Sequence, residues 1–305
     1  MSVLSKPCFH NEEEAFAYLE GLLWPEGPVC PHCGSTGKHY DLRKTRLGLR
    51  KCQECRKQFT VKVGTVFESA HIPLNKMLQA VYLMCASKKG ISAHQLHRVL
   101  GVTYKSAWFL AHRIREAMRA GELAPMGGGG GVVEADETFI GREPGKPKKR
   151  AYHHKMKVLS LLDRETKQTR SMVVDDLKPK TVVPILEENI AKEASVMTDE
   201  AGHYHHLRKS FAEHNIVRHG QGEYVSLERP TVHTNTIEGY FSIFKRGMKG
   251  VYQHCGKQHL HRYLAEFDFR YNNRVALGHN DTDRTNKALN GIAGKRLTYQ
   301  QSGRA

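Results

Sequence analysis

Residues 132–141, VVEADETFIG, decide how the larger part of this 305-residue chain is read. Val, Ile, Thr and Phe favour extended backbone, and the Pro/Gly-rich run GREPGKPKKR (141–150) ends the strand. Its pattern is mixed, because Glu134, Asp136 and Glu137 interrupt the apolar residues. Strand alternation puts Glu134 and Asp136 on one face and Glu137 on the other. The residues that follow, KMKVLSLLDRETKQTRSMVVDD (155–176), read as two strands around a turn at DRETKQ. A helix is expected over KPKTVVPILEENI (178–190), then a short apolar strand ending on acids in ASVMTDEAGHY (194–204). Last comes a long amphipathic helix over HLHRYLAEFDFRYNNR (259–274). Strands first, then a helix, a strand and further helices specify an α/β domain built on a mixed sheet.

Outward from this domain towards the N-terminus, AGELAPMGGGGG (120–131) reads as a linker. Residues 71–119 read as all-helical, with ISAHQLHRVLGVTYKSAWFLAHRIREAM forming helix, short turn, helix. Ser92 is a candidate cap and Gly101 sits at the turn, and the second helix begins near Thr103. Ala107, Leu110 and Ile114 are its core side, leaving Tyr104, Lys105, His112, Arg113 and Arg115 outside. The pattern resembles a helix-turn-helix, whose second helix enters the DNA major groove; the alternative is an ordinary helical hairpin. Earlier still, Cys30, Cys33, Cys52 and Cys55 form two CxxC turns separated by eighteen residues. That spacing suits a hairpin returning the second pair to the first, and four thiolates in a closed tetrahedron suit a structural zinc ion. Nine Lys/Arg against two acids between 38 and 62 give the ribbon a basic surface, including Arg50 and Lys51. A short helix over NEEEAFAYLEGLL (11–23), capped by Asn11, leads into it.

The net charge of +16 calls for a polyanionic partner. The sequence has no run of about 18 apolar residues to cross a membrane, and its first residues lack the charged and apolar pattern of a secretory signal. The expectation is a cytoplasmic protein whose polyanion is nucleic acid, associated with the nucleoid when bound. Outside the ribbon, Cys8, Cys85 and Cys255 are scattered, which reads as reduced thiols.

Three acids stand out by position: Asp136 in the first strand, Asp199 after the short apolar strand, and Glu238 in HTNTIEGYFSIFKRGMKG (233–250). Converging carboxylates repel one another unless divalent cations lie between them. On a helix, Glu238, Phe241 and Lys245 share one face, and the charges after Glu238 are all positive: Lys245, Arg246 and Lys249. Glu134 and Glu137 compete with Asp136, Glu200 competes with Asp199, and Asp163, Asp175 and Asp176 are weaker candidates. His203, His205 and His206 in GHYHH offer a zinc-enzyme alternative, without a clean i, i+4 pair.

The ribbon, the helical module and the ordered motifs ADETFIG, TDEAGHY and HTNTIEGYFSIFKRGMKGVYQH resemble the zinc-ribbon DDE transposases of bacterial insertion sequences, the ISXO-like group, over roughly residues 12–275. The resemblance implies a ribonuclease-H-like catalytic domain, a DDE-type polynucleotidyl transferase using Mg²⁺ or Mn²⁺. Its triad falls on Asp136, Asp199 and Glu238, with Asn235 as an alternative third residue, and Lys245 takes a DNA phosphate. It also implies double-stranded DNA partners, both terminal inverted repeats and target DNA, and a homodimer or larger assembly. Thirty-eight residues separate Asp199 from Glu238, and GQGEYVSLERP (220–230) is read as an insertion between them. The expected organisation is a zinc ribbon with its leading helix (12–65), a helical DNA-binding module (71–119), a linker (120–131), the catalytic domain (132–277) and a polar tail (278–305). DNA contacts are expected from Arg50, Lys51, Lys105, Arg113, Lys245, Arg246 and Lys249. The competing function is a non-catalytic zinc-ribbon, helix-turn-helix regulator with a degenerate second domain.

Overall fold

The structure is a computed structural model and describes residues 2–121, 123–148, 152–218, 220, 225 and 229–298. Part of the basic loop (149–151) and most of the stretch read as an insertion therefore lie outside the described residues. The chain divides into two compact units, Met1–Arg119 with Asn273–Ala305, and Ala120–Asn272.

In the first unit, α1 (Glu12–Leu23) starts as its sequence dictates: the Asn11 side chain accepts from the Glu13 and Glu14 amides, and three glutamates occupy the first turn. A three-stranded antiparallel ribbon follows, β1 (His39–Asp41), β2 (Arg50–Cys52) and β3 (Gln58–Phe59). Its small core is Cys30, Cys52 and Phe59, with Trp24 set edge-on to Phe59. Then come α2 (Leu74–Ala86), α3 (Ala93–Leu100) and α4 (Tyr104–Met118). The expected signals are in place at the α3–α4 turn. Ser92 accepts from the Gln95 amide, Gly101 takes the left-handed conformation at φ 59°, and Thr103 accepts from the Ser106 amide.

Residues 278–305 were expected as a polar tail, but α8 (Asp281–Asn290) forms there, closed at its start by a reciprocal Asn280–Asp283 capping box. It packs on α1, α2 and α4 and buries Ala288 and Leu289. This contact corrects the reading of α4. With α2, α3 and α8 around it, the helix buries His112, Arg113 and Arg115 at 1%, 8% and 2% exposure, so Arg113 is not on a DNA-facing surface. The Arg113 guanidinium lies over the Phe109 ring instead.

The second unit holds a five-stranded sheet in the order β6-β5-β4-β7-β8, formed by β4 (Val132–Ile140), β5 (Met156–Asp163), β6 (Thr169–Val174), β7 (Ser195–Thr198) and β8 (Glu213–Ile216). The first three strands are antiparallel, whereas β7 runs parallel to β4 and β8 parallel to β7. This succession, with α5 (Pro179–Asn189) as the crossover between β6 and β7, makes the mixed sheet of the expected α/β domain. Asp163 makes the β5–β6 turn by accepting from the Glu165 and Thr166 amides. One sheet face packs Val133, Ala135, Leu159 and Leu161 on α5 and Tyr204. The other packs Ile140, Val158 and Leu162 on α6 (Asn235–Gly247) and α7 (Lys257–Asn272).

The glycine run expected as a linker is built into this unit. Gly127 donates to Asp163 Oδ2 and sits at φ 74°, and a Cβ there would come within 2.7 Å of Ala194 and Val133. Glycine is therefore required by close packing at this position.

A buried polar network fixes α6 and α7 to the sheet. Asp268 on α7 accepts from the Ser171 amide and hydroxyl and from Tyr240 of α6, at 2.8, 2.8 and 2.6 Å. Burial pushes its carboxyl up to about 6, against the pull of the Tyr240 and Ser171 hydrogen bonds. A carboxyl raised when folded binds more protons in the native than in the unfolded state, so its contribution to stability falls as pH rises from about 4 to 6. Asp268→Asn should remove that slope. Comparing urea midpoints of wild type and variant at pH 4, 5 and 6 checks this, and parallel curves for the two proteins would refute it.

Candidate functional site

Two constellations emerge. In the ribbon, Cys30 and Cys33 lie on one turn and Cys52 and Cys55 on another. Their ligand atoms all fall within 4.8 Å of one another, and among the described residues this is the one such group. The Cys30–Cys55 and Cys33–Cys52 sulfur separations are both 3.7 Å. A tetrahedron of that edge places its vertices about 2.3 Å from its centre, the Zn–thiolate bond length. The donor set therefore fits a closed structural zinc site. GHYHH gives no such group: His203 contacts Glu137 at 3.2 Å, and His205 and His206 are exposed.

The second constellation is set by sheet register. β4 pairs with β7 in parallel through Glu134↔Met197. Two residues further along each strand stand Asp136 and Asp199, so both carboxylates leave neighbouring strands at the same level, where β7 ends and β4 continues. Glu238 is placed by the N-terminus of α6. The amide of Ile237 donates 2.8 Å to Glu134 Oε2, which binds the positive end of the helix to the central strand. Thr234 Oγ1 donates to Glu238 Oε1 at 3.2 Å.

Asp136 feels the charge of both other acids, although the oxygens of the three do not all lie within 4.8 Å of one another. Burial, then the charges of Glu137 and Asp199 and more weakly Glu238, push Asp136 up to about 8. Burial lowers Lys245, while attraction to Asp136 and Glu238 opposes this; Lys249 and Lys155 are close enough to repel it. Asp136, Glu137, Asp199, Lys155, Lys245 and Lys249 all line one cavity of about 850 Å³, with Gln253 on its wall at φ 59°.

The competing acids have partners of their own, Glu137 while lining the same cavity. Glu134 shares a face with Asp136, as alternation requires, but is fully buried and bound by Arg164 at 2.5 Å. Glu137 points to the opposite face and accepts from Tyr204 at 2.8 Å. Glu200 accepts from the Gly220 amide, Asp175 pairs with Lys257, and Asp176 accepts from the Lys178 amide and Thr181 hydroxyl near the start of α5. Asn235, the alternative third residue, is exposed at the first position of α6.

Among the basic residues expected to meet DNA, Lys105, Arg246 and Lys249 are exposed and Lys245 is half-buried beside the acids. Lys51 is half-buried in β2. Arg50 is largely buried and pairs with Glu20 of α1 at 2.7 Å, so that charge is already neutralised within the unit.

Sequence reasoning missed Arg164. Besides Glu134, its guanidinium donates to the carbonyls of Thr231 and His233, both at 2.5 Å, and so clamps the approach to α6. Nothing in a turn arginine's local pattern signals this. Arg164→Met leaves a buried carboxylate without its cation, and a loss of about 3–5 kcal/mol is expected. Chemical denaturation followed by circular dichroism measures it, and an unchanged midpoint would contradict the clamp.

A mixed-sheet domain whose register brings Asp136 and Asp199 to one level thus stands in a chain that also carries a four-cysteine ribbon. Residues 129–272 match the family model for the ISXO2-like transposase domain, and residues 10–58 match that for the transposase zinc-ribbon domain. The two matches cover 144 and 49 of the 305 residues, and each says what that part of the chain is similar to. Comparison with curated proteins gives no match. One similar solved structure is a cryo-EM intasome of simian T-cell lymphotropic virus in complex with the PP2A regulatory subunit B56 gamma. It shares 13% identity over 63% of this chain and 65% of that one, with a TM-score of 0.28. This chain therefore spans just under two thirds of that chain's length, and at this score the likeness carries no argument. Among the described residues, no helix is long and apolar enough to cross a membrane.

Proposed function

We propose that this protein is a DNA transposase whose second unit cleaves and joins strands at the ends of its element. The observation that carries the reading is the meeting of Asp136, Asp199 and Lys245 at one cavity, with the charge of Glu238 reaching Asp136 from α6. Hard oxygen donors crowded to mutual repulsion fit Mg²⁺ or Mn²⁺. Bound there, such ions would neutralise charge on a scissile phosphate and activate the attacking water or 3′-hydroxyl.

The chain's own groups supply position and charge. Glu134 and Arg164 hold the start of α6, and Tyr240 with Asp268 holds its middle, so Glu238 is carried by a braced helix. Lys245, two turns along the same helix face, binds a phosphate beside the acids, and Lys249 and Arg246 extend that contact along the strand. The zinc ribbon and the α3–α4 pair, with Lys51 and Lys105, bind the terminal inverted repeats. A second copy of the chain brings the other DNA end.

The test is incubation of the full-length protein with a duplex bearing the element's terminal repeat, with and without Mg²⁺. Mg²⁺-dependent strand breaks at the repeat boundary are expected. Tight repeat binding with no breaks in either Mg²⁺ or Mn²⁺ would favour a non-catalytic regulator.

A further inference from the structure

We infer that Tyr152, stacked on Phe139 at the mouth of the carboxylate-lined cavity, is the platform for one unpaired nucleotide of a DNA end. The inference rests on the DNA-processing reading and adds a binding site to it. Phe139 lies on β4 three residues beyond Asp136, and its ring stacks on Tyr152 with centroids 4.4 Å apart and planes 12° from parallel. Tyr240, Phe241, Phe244, Tyr263 and Phe267 of the same unit are buried in its core, whereas Tyr152 keeps 53% of its surface exposed. A stacked pair with so much aromatic surface open offers a π-face to a further flat ring, and nucleobases are the flat rings that DNA supplies.

The platform is held in place before any ligand arrives. The Lys155 amide donates 2.9 Å to the Tyr152 carbonyl, closing the turn that carries the ring. The Glu143 amide donates 2.8 Å to the His154 carbonyl, and the Glu143 carboxylate binds Lys146 and Lys257 at 2.5 and 2.8 Å. Little ordering is left to be done on binding.

Charge specifies the rest of the ligand. The Lys155 ammonium lies over the Tyr152 ring, 5.1 Å from its centre, so a base taking that face moves this flexible side chain aside towards its own phosphate, and Lys245 and Lys249 line the same cavity. A base on the ring would place its flanking phosphates among these cations. The cavity, about 850 Å³, is large enough for a nucleotide. Inside a duplex a base has both faces covered by its neighbours, so the ligand is a base already out of the stack: a frayed terminal nucleotide, an overhang or a flipped base. Stacking tolerates any base, so this site selects strand state over sequence.

The experiment uses the full chain without added Mg²⁺ or Mn²⁺ and without chelator, so that cleavage does not intervene and the ribbon keeps its zinc. Two probes are compared: a blunt duplex, and the same duplex with a two-nucleotide overhang carrying 2-aminopurine. The wild type should bind the overhang duplex roughly 5- to 150-fold more tightly than the blunt one, with quenched 2-aminopurine fluorescence. Tyr152→Phe should keep both effects, and Tyr152→Ala should lose the overhang preference and the quenching. Equal preference and quenching in wild type and Tyr152→Ala would overturn the platform, and Mg²⁺-dependent cleavage measured separately then shows whether the transposase reading survives. Binding to neither probe would overturn both.

Discussion

Asp199→Asn should abolish strand cleavage while leaving DNA-end binding in place, with the cleavage rate falling at least about a hundredfold. The substitution keeps the shape of the side chain and removes the charge that a divalent cation needs. Asp199 stands just past the end of β7 and its Oδ1 accepts from the Ala201 amide, a bond an asparagine oxygen also accepts. The fold should therefore tolerate the change, and the loss should appear in the chemical step. Glu200→Gln is the neighbouring control: Glu200 is turned towards the Gly220 amide and should cost far less. Lys245→Ala should separate from both, weakening DNA affinity with a smaller effect on the metal-dependent step. Single-turnover cleavage of pre-bound DNA distinguishes these outcomes, and wild-type rates in Asp199→Asn would place the chemistry elsewhere.

The second large effect is expected in the ribbon. Cys52→Ser should lose the zinc ion and unfold this segment, because apparent zinc-binding energies of about 10–16 kcal/mol are folding energy in small metal-bound modules. The ribbon's own core, Cys30, Cys52 and Phe59, is too small to hold it without metal. Trp24, edge-on to Phe59 at 5.9 Å between centroids, reports the change. Its emission should shift to the red on chelation or in the variant, while the secondary structure of Ala120–Asn272 persists. Elemental analysis of the wild type should find one zinc per chain, and a metal-free protein with an intact ribbon would refute the assignment.

What could be read from the sequence was the information carried within a few residues. The CxxC pairs, the caps Asn11 and Ser92, the turn residue Gly101, the helix start near Thr103 and the Asp163 turn all act locally, and each stands where its residue type requires. The alternation that separates Glu134 and Asp136 from Glu137 is equally local, and the partners of those side chains follow it.

The rest depended on distant segments. Arg113 read as exposed because nothing near α4 shows that residues 281–290 form a helix against it. The same return of the chain means that a cut at residue 120 alone would not separate the two units, since Asn273–Ala305 belongs with the first. Gly127–Gly131 read as a linker because composition does not reveal that Ala194 and Val133 leave no room for a side chain. β8 (EHNI) is too short and too polar to announce itself, and becomes a strand by pairing with β7. Arg164 gained its role only through a carboxylate thirty residues earlier and carbonyls nearly seventy residues later. In the sequence only motif order sets Asp136, Asp199 and Glu238 apart from their competitors, and the partners of Glu134, Glu137 and Glu200 lie in tertiary contacts.

The central claim is that Asp136, Asp199 and Glu238 form a single divalent-cation site. Mn²⁺ binding by the full-length protein with a duplex bound, followed by electron paramagnetic resonance, tests it without relying on turnover. Wild type and Glu200→Gln should bind Mn²⁺ alike, and Asp136→Asn, Asp199→Asn and Glu238→Gln should each weaken it by at least about tenfold. Identical Mn²⁺ affinity in all five proteins would contradict the account.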